Sequence, residues 1–315
     1  MKTLSAFLLL IFAPIAQADY VFASADEGRA ILTKQDEFVD RMSPFDRAAR
    51  LKTDQEVSVE AYLKFVGQHV LEWDEAEKTA MKSIIESVQP ALDALALPIP
   101  EEIVLIKTTG EEEGGAAYTR SNAIVFSVGR LDQPLAGLTK LFCHELFHVI
   151  SRANPELREL LYAAIGFMKC DEVEFPENLA SRKLTNPDAP LNDHWIRLEL
   201  GGKEVFGIPI LYSSVDKYDS AKGGEFFDYL QLQMLLIERE PDSDAVKPAY
   251  IDGLPRLASM ARVSGFYEQV GRNTGYIIHP EEILADNFAL IVLEAEELKS
   301  PEILERIKKV LSPKL

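Results

Sequence analysis

Cysteine is nearly absent from this sequence. Among its 315 residues, only Cys143 and Cys170 are cysteines. In an oxidising compartment this pair could form one disulfide, which a loop-entropy relation values at about 3.5 kcal/mol. Cysteine also packs as a small core residue, so two buried free thiols are the alternative. The sequence leaves both alternatives open.

Positive charge is scarce as well. The chain has 33 Lys and Arg residues against 51 Asp and Glu residues, which gives a net charge of −18. That much negative charge repels phosphate backbones and anionic lipid. We therefore expect no nucleic acid and no membrane surface among its partners, while the charge balance identifies no substrate.

Long apolar runs are confined to the first residues. Lys2 is followed by an apolar run from residue 4 to 15, and residues 16–18 read Ala-Gln-Ala, the small-x-small pattern of a signal-peptidase site. No later stretch reaches the twenty or so apolar residues that a membrane span needs. We expect a signal peptide at 1–18 and an exported, periplasmic or extracellular protein without membrane insertion after cleavage. A short membrane anchor is the alternative.

The order of predicted elements indicates an α+β fold. Helical periodicity dominates residues 26–97 and returns beyond residue 257, with strands between these blocks but no regular βαβ alternation. The predicted organisation is an N-terminal helical region at 19–97 and a larger region at 98–315. Predicted helices lie at 58–70, 74–97, 134–151, 155–167 and 280–296, and predicted strands at 103–107, 116–120, 123–128, 194–200, 203–212 and 229–238.

Two short signals fix local structure more sharply. Asp74 followed three residues later by Glu77 has the spacing of a helix capping box. Gly201-Gly202 between two alternating runs predicts a tight β-hairpin.

One helix carries a pattern with chemical meaning. In the predicted helix 134–151, His144 and His148 are four residues apart, so both imidazoles lie on one face and can bind one metal ion. Glu145 lies beside them, placed to contact a water on an open coordination position. The flanking residues are uncharged, and burying these groups without partners would cost several kcal/mol. A histidine pair hydrogen-bonded within a core is the alternative.

A third ligand is sought in the apolar helix predicted at 280–296. Glu282 and Asp286 are four apart on one stripe of it, and a buried carboxylate needs a metal or a donor. The economical arrangement gives Glu282 to the metal and lets Asp286 accept an N–H from a ligand histidine. Favourable charge at a helix N-terminus also explains Glu281 and Glu282, but leaves Asp286 unexplained. His279 is an alternative third ligand, and equally an N-cap.

These two helices together resemble the gluzincin group of zinc metallopeptidases, whose active site is thermolysin-like. The resemblance rests on His144-Glu145-x-x-His148 and on Glu282-x-x-x-Asp286. It implies a zincin-like catalytic region at 98–315, with a small mixed sheet, an active-site helix and a mostly helical C-terminal lobe. It also implies Zn²⁺ held by the two histidines and Glu282, Glu145 as general base and Asp286 as partner of a ligand histidine. The strand at 123–128 resembles the active-site edge strand of that group.

The residue that stabilises an oxyanion is not fixed by the sequence. Tyr276 and His279 precede Glu282 and are the catalytic candidates, while His194, Tyr212 and Tyr250 are further donors. His69 lies in the N-terminal helical region, and no pattern ties it to the site.

The expected function is zinc-dependent hydrolysis of peptide bonds, with water activated by the metal and Glu145 as the base. The expected partner is a peptide or protein substrate. The alternatives are an exported zinc-binding protein without turnover and a structural domain in which the motif is accidental.

Overall fold

The computed structural model describes residues 18–241 and 243–312. The α-helices within these ranges are α1 (Ala25–Leu32), α2 (Glu37–Arg41), α3 (Pro44–Arg50), α4 (Val59–Gln68), α5 (Glu75–Leu95), α6 (Val128–Leu131), α7 (Leu135–Ala153), α8 (Pro155–Ala164), α9 (Glu177–Ala180), α10 (Phe266–Val270), α11 (Pro280–Val292) and α12 (Pro301–Leu311). The strands are β1 (Asp19–Phe22), β2 (Val70–Leu71), β3 (Glu102–Thr108), β4 (Tyr118–Arg120), β5 (Ala123–Ser127), β6 (Phe167–Lys169), β7 (His194–Leu200), β8 (Lys203–Ser213), β9 (Leu230–Arg239), β10 (Val246–Pro248), β11 (Tyr250–Ile251), β12 (Leu254–Pro255) and β13 (Leu257–Ala258). The α+β class is confirmed.

The first sheet is mixed and lies between two apolar cores. Its strand order is β1-β3-β5-β4, with β2 also paired to β3. Strands β1, β3 and β5 run parallel, and β4 is antiparallel to β5. Alternate residues of β3 enter opposite cores, because side chains of a strand alternate between its faces: Ile103 and Leu105 join one cluster, Val104 and Ile106 the other.

The helix with the histidine pair packs on this sheet. Helix α7 contacts β4 and β5 on one side and α5, α8 and α11 on the other. Its apolar residues Leu138, Phe142, Leu146, Phe147 and Ile150 are all buried in the first cluster. This packing fixes which face of α7 stays polar and where its histidines point.

One expectation about this sheet is wrong. The strand at 123–128 was expected at the edge, but β5 lies inside the sheet between β3 and β4. The edge beside α7 is β4 instead. The correction follows from the tight turn at 121–122, which folds β4 back antiparallel onto the outer side of β5.

The second sheet is antiparallel and follows the order β10-β9-β8-β7-β6, with β13 paired to β9. The predicted hairpin is confirmed: Leu200 pairs with Lys203, and Gly201 and Gly202 both have positive φ, at 60° and 77°. Such a two-residue turn needs left-handed backbone, which glycine adopts without strain. Strands β11 and β12 form a separate hairpin.

Several predicted boundaries need correction. The region at 26–97 also contains β2, and β1 precedes it, so strands from the N-terminal part complete the first sheet. The division at residue 97 stays a prediction. Beyond residue 257 the chain is not continuously helical, because β13 pairs with β9 and the next helix begins at Phe266. Helix α7 begins at Leu135, one residue after the predicted start, with Pro134 as its N-cap.

The cysteines are free thiols in the structure, in agreement with the alternative of two buried free thiols. Cys143 lies in the core between α7 and the first sheet, whereas Cys170 packs in a different cluster on the second sheet. Burial raises the pKa of both thiols to about 12.

Residues 1–17 of the predicted signal peptide lie outside the described part of the chain. Among the helices that are described, none has both the length and the apolar character to cross a bilayer.

Candidate metal centre

Helix α7 brings two histidines and a glutamate together inside the protein. The ring centroids of His144 and His148 are 4.8 Å apart, as expected for residues one helical turn apart. His144 is 8% exposed, Glu145 2% and His148 0%. The apolar residues around them hold this turn of α7 in the core, so each polar group must find its partner within the protein.

Helix α11 supplies the facing carboxylates. His279 caps it and Pro280 occupies its first position, so the helix begins just before Glu281 and Glu282. The Glu282 Oε2 lies 3.0 Å from His144 Nε2 and 3.5 Å from His148 Nε2. The three side chains therefore converge on one point between α7 and α11.

The outer nitrogens of both rings are already engaged. His144 Nδ1 lies 3.0 Å from Asp286 Oδ1, and His148 Nδ1 lies 3.1 Å from Glu281 Oε1. A carboxylate at Nδ1 favours the neutral tautomer that carries its proton there, so Nε2 is the ring atom left to bind a metal. In both histidines Nε2 is directed to the convergence point.

One unpaired atom indicates that the converging side chains of His144, His148 and Glu282 could bind a metal ion. His148 Nε2 is buried and has no hydrogen-bond partner among the described residues. Buried polar atoms are nearly always paired, so an orphaned nitrogen beside a second imidazole and a carboxylate indicates a ligand site. His144, His148 and Glu282 offer ligand atoms within 4.8 Å of one another and could hold a metal ion. A second such group, Glu145, His148 and Asp188, shares the same histidine.

The pKa shifts show how strongly this point attracts positive charge. Burial alone lowers the pKa of His144, but hydrogen bonds to Asp286 and Glu282 outweigh it and raise that pKa to about 10. Burial also opposes ionisation of Glu282, yet His148 and His144 hold the pKa of its carboxyl well below its usual range. A site that favours a proton for these reasons favours a divalent cation for the same ones.

The Glu145 side chain is hydrogen-bonded to strand β4 rather than to either histidine. Its Oε2 accepts a hydrogen bond from Thr119 Oγ1 at 3.0 Å, and burial raises the pKa of its carboxyl. Asp188 lies on its other side, held by the Thr119 amide, which donates to Asp188 Oδ1 at 2.6 Å. Burial raises the pKa of Asp188 well above its usual range. Thr119 of β4 thus positions both carboxyl groups.

The loop that begins after residue 185 lies against the His144, His148 and Glu282 group. Asn186 donates from Nδ2 to Glu282 Oε1 and accepts from the Asp188 amide at 3.1 Å, so it connects α11 to this loop. Glu281 accepts from Ser151 Oγ at 2.9 Å and from the Tyr162 hydroxyl, in addition to its contact with His148. The Glu282 carboxylate, a possible ligand, and the Glu281 carboxylate, which accepts from His148, are therefore each fixed by further hydrogen bonds.

A cleft of about 610 Å³ opens onto the group. Tyr276 lines it, with its ring centroid 6.2 Å from that of His144 and 42% of its surface exposed. Burial of its hydroxyl and the charge of Glu282 raise the pKa of Tyr276 well above its usual range, so this hydroxyl stays protonated at neutral pH. Arg130 and Lys140 line the same cleft.

The other predicted donors lie elsewhere. His279 is buried as the N-cap of α11, where its Nδ1 accepts from the Glu281 amide at 3.1 Å, in agreement with the capping alternative. His194 is held between Asp193 and Glu159. Tyr212 packs in the second-sheet cluster, Tyr250 is exposed on the β11–β12 hairpin, and His69 bonds Thr109.

Four residues of the site were not predicted. Glu281 was attributed to helix N-terminal charge, although two adjacent acids at the buried start of an apolar helix were a signal. Thr119 belongs to a predicted strand, but its pairing with Glu145 depends on packing. Asn186 and Asp188 lie in a proline-rich loop with no periodicity, so no sequence signal pointed to them.

Comparisons with protein-family models, with curated proteins and with solved structures each find no match to this chain.

Proposed function

We propose that the protein is a zinc-dependent peptidase, with His144, His148 and Glu282 as the zinc ligands. The observation that carries this proposal is the buried His148 Nε2, which faces His144 and Glu282 and has no hydrogen-bond partner within residues 18–241 and 243–312. Two imidazoles and one carboxylate are a ligand set of catalytic zinc, which keeps its fourth position open. The cleft beside the group leaves room for a substrate at that position.

The protein side chains have separate tasks in this reaction. Bound zinc supplies Lewis acidity, which activates water and polarises an amide carbonyl. Glu145 accepts the proton of the attacking water at a carboxylate oxygen and passes it to the nitrogen of the leaving amine. Thr119 Oγ1 holds that carboxylate in place through Oε2. Asp286 and Glu281 fix the two imidazole rings.

Tyr276 is the proposed donor to the oxygen on which negative charge develops. Its hydroxyl keeps its proton at neutral pH and its ring faces the cleft beside His144. A preorganised donor at this place stabilises the transition state more than the bound substrate.

The proposal includes a peptide or protein substrate and an exported location. Support for the location comes from residues 1–18 of the sequence alone, and support for the substrate comes from the His2Glu group with its neighbouring Glu145.

The test pairs metal content with cleavage. Glu145→Gln should keep the zinc, because Glu145 is not one of the three ligands, and should lose at least about a hundredfold in cleavage of a mixed peptide library. Glu156→Gln, on the exposed start of α8, is the matched control and should cleave like wild type. Equal cleavage by Glu145→Gln with zinc retained would refute the proposed base, and metal-free wild type after zinc dialysis would refute the site.

A further inference from the structure

The cleft has a defined axis. Arg130 Nε donates to Gly115 O at 3.1 Å near the start of α7, Thr119 bonds Glu145 further along, and Arg152 Nη1 donates to Ser121 O at 3.0 Å near its end. The chain from 115 to 121 therefore runs alongside α7 in the same direction. One end of the cleft lies near Arg130 and the other near Thr119.

The Thr119 end is closed. Strand β4 is the edge of the first sheet, so its outer polar groups could receive an extended peptide. At Thr119, however, the amide donates to Asp188 Oδ1 at 2.6 Å and the carbonyl accepts from Arg152 Nη2 at 3.5 Å. Arg152 Nη2 also donates to Pro187 O at 3.2 Å and Asp188 O at 3.1 Å, which fixes the loop across the edge. A bound peptide strand cannot continue past this point.

The two ends differ in charge. At the closed end the carboxyl groups of Glu145, Asp188 and Glu282 meet around the ligand group. Arg152 lies near Asp188, but its hydrogen bonds to the described residues go to backbone carbonyl oxygens rather than to a carboxylate. Towards the other end Arg130 and Lys140 line the cleft together with Asp286, whose carboxylate is hydrogen-bonded to His144 and Thr274. Neither cation is within ion-pair distance of a carboxylate among the residues that the structure describes.

A peptide has the opposite charges at its two ends, because its first residue carries an ammonium group and its last residue a carboxylate. From these charges and the closed end, we infer that the cleft binds the free amino terminus of a peptide, with its α-ammonium on Asp188 and the rest of the chain directed towards Arg130 and Lys140. This inference rests on the proposed function. A carboxyl terminus at the closed end would instead face Asp188, Glu145 and Glu282.

The spacing limits how much peptide lies on the closed side. An α-nitrogen and the carbonyl carbon of the same residue are two bonds apart, roughly 2.5 Å. Asp188, Glu145 and His148 offer oxygen and nitrogen atoms within 4.8 Å of one another. An ammonium on Asp188 therefore brings the first peptide bond to the ligand group. Water adds to that carbonyl, the C–N bond breaks, the leaving nitrogen takes a proton, and one amino acid is released.

The first experiment measures binding without turnover. Zinc-loaded Glu145→Gln is titrated by calorimetry with one pentapeptide in three forms: free, N-acetylated and C-terminally amidated. Loss of a charged hydrogen bond should weaken binding of the acetylated form by roughly 10- to 100-fold. Amidation removes the charge that could interact with Arg130 and Lys140, but these side chains are partly or fully exposed, so affinity should change by less than about fivefold. Equal affinity for the free and acetylated forms would overturn the inference.

Asp188→Asn tests the residue itself. Asparagine keeps an acceptor for the Thr119 amide but cannot become the carboxylate that a bound ammonium group stabilises, so zinc content should persist while the difference between free and acetylated peptides disappears. Asp216→Asn is the matched control, since that side chain is 89% exposed and does not line the cleft. A retained preference in folded Asp188→Asn would overturn the assignment to Asp188. If Asp188→Asn does not fold, the three peptide forms on Glu145→Gln still decide the inference.

Product analysis with the wild type separates this inference from the proposed function. Release of the first residue from the free peptide alone supports both. Internal cleavage of the acetylated peptide at the rate of the free one refutes the inference but supports the peptidase. A preference for the free amine in binding, with no cleavage of any form, supports the inference for binding and refutes the proposed reaction.

Discussion

Two clusters of buried charge lie in this protein, and they differ in how completely their atoms are paired. One surrounds Arg50, between α3, the turn at 111–113 and the loop at 184–185. The other is the group formed by His144, His148 and Glu282. Both remove ionised groups from water at considerable cost.

The Arg50 cluster is closed. Its Nε donates to Glu113 Oε2 at 2.8 Å, its Nη1 to Asp46 Oδ1, and its Nη2 to the second Glu113 oxygen and to Thr185 O. The Thr185 amide donates to the free oxygen of Asp46 at 2.9 Å, and the Phe226 ring lies 4.2 Å from the guanidinium carbon. None of the buried side-chain nitrogen and oxygen atoms of Arg50, Asp46 and Glu113 lacks a hydrogen-bond partner among the described residues.

The histidine group is open. His148 Nε2 has no partner among the described residues, although its neighbours are fixed as firmly as those of Arg50. The difference teaches that burial of charge alone does not mark a functional site. In this protein the mark is an unpaired atom, His148 Nε2, among ligand groups that converge from two helices.

The largest effect should follow removal of both histidines. His144→Ala/His148→Ala deletes two of three ligands, so bound zinc should fall from about one per chain to background in metal analysis. His69→Ala is the matched control, because His69 bonds Thr109 outside the group. Full zinc occupancy in the double variant would show that the open cluster is not the metal site.

Breaking the closed cluster should act on stability instead. Arg50→Met leaves the carboxylates of Asp46 and Glu113 buried without their partner, which should lower the free energy of unfolding by about 3–5 kcal/mol in urea titrations. Arg29→Met, whose side chain is 45% exposed and pairs with exposed Asp26, should cost less than about 1 kcal/mol. If the two variants lost similar amounts of unfolding free energy, the closed Arg50 cluster would not differ in stability from an exposed ion pair.

A pH experiment examines a buried group outside both clusters. Burial and His194 lower the pKa of His279 to about 4, against roughly 6.5 in the unfolded chain. The folded protein favours neutral His279, so this stability is present above pH 6.5 and is lost as the pH falls towards 4. The loss should reach about 3 kcal/mol.

His279→Asn keeps a capping acceptor but does not titrate. Between pH 7 and 4, with chelator present throughout, its free energy of unfolding should fall less than that of the wild type. If the free energies of unfolding of the two proteins fell in parallel with pH, the lowered pKa of His279 would be contradicted.

The smallest effects should come from the outer carboxylates of the histidine group. Glu281→Gln and Asp286→Asn weaken the acceptors at the two Nδ1 atoms, which should lower zinc affinity by roughly 10- to 100-fold in competition with a chelator. Glu302→Gln, exposed on α12, should bind zinc like the wild type. No change in either outer variant would mean that these contacts do not tune the ligands.

The predictable part of the site followed helical periodicity. His144 with His148 and Glu282 with Asp286 are each four apart, so their shared faces follow from 3.6 residues per turn. The capping box from Asp74 to Glu77 was predicted for the same local reason and is present. Local rules do not say which elements meet, and the meeting of α7 with α11 was inferred only from buried carboxylates that needed partners.

The remainder depends on tertiary packing. Asp188 reaches Glu145 only because Thr119 and Arg152 fix its loop across β4. The short strands β1 and β2 are formed by pairing with β3, and four or fewer residues carry little periodic signal. Cys143 and Cys170 looked like a pair because they were the only two, but the fold assigns them to separate cores.

Helix α11 has a consequence for the chain as a whole. Its Glu282 meets His144 across 138 positions of sequence. An ion that joins them closes a loop of that length, and the entropy removed from the unfolded chain corresponds to roughly 5 kcal/mol in the simple loop model. The second sheet lies entirely inside this loop. A metal at this position would thus act as a reversible crosslink, and the free energy of unfolding of the chain that contains the second sheet would rise with the metal concentration around the protein.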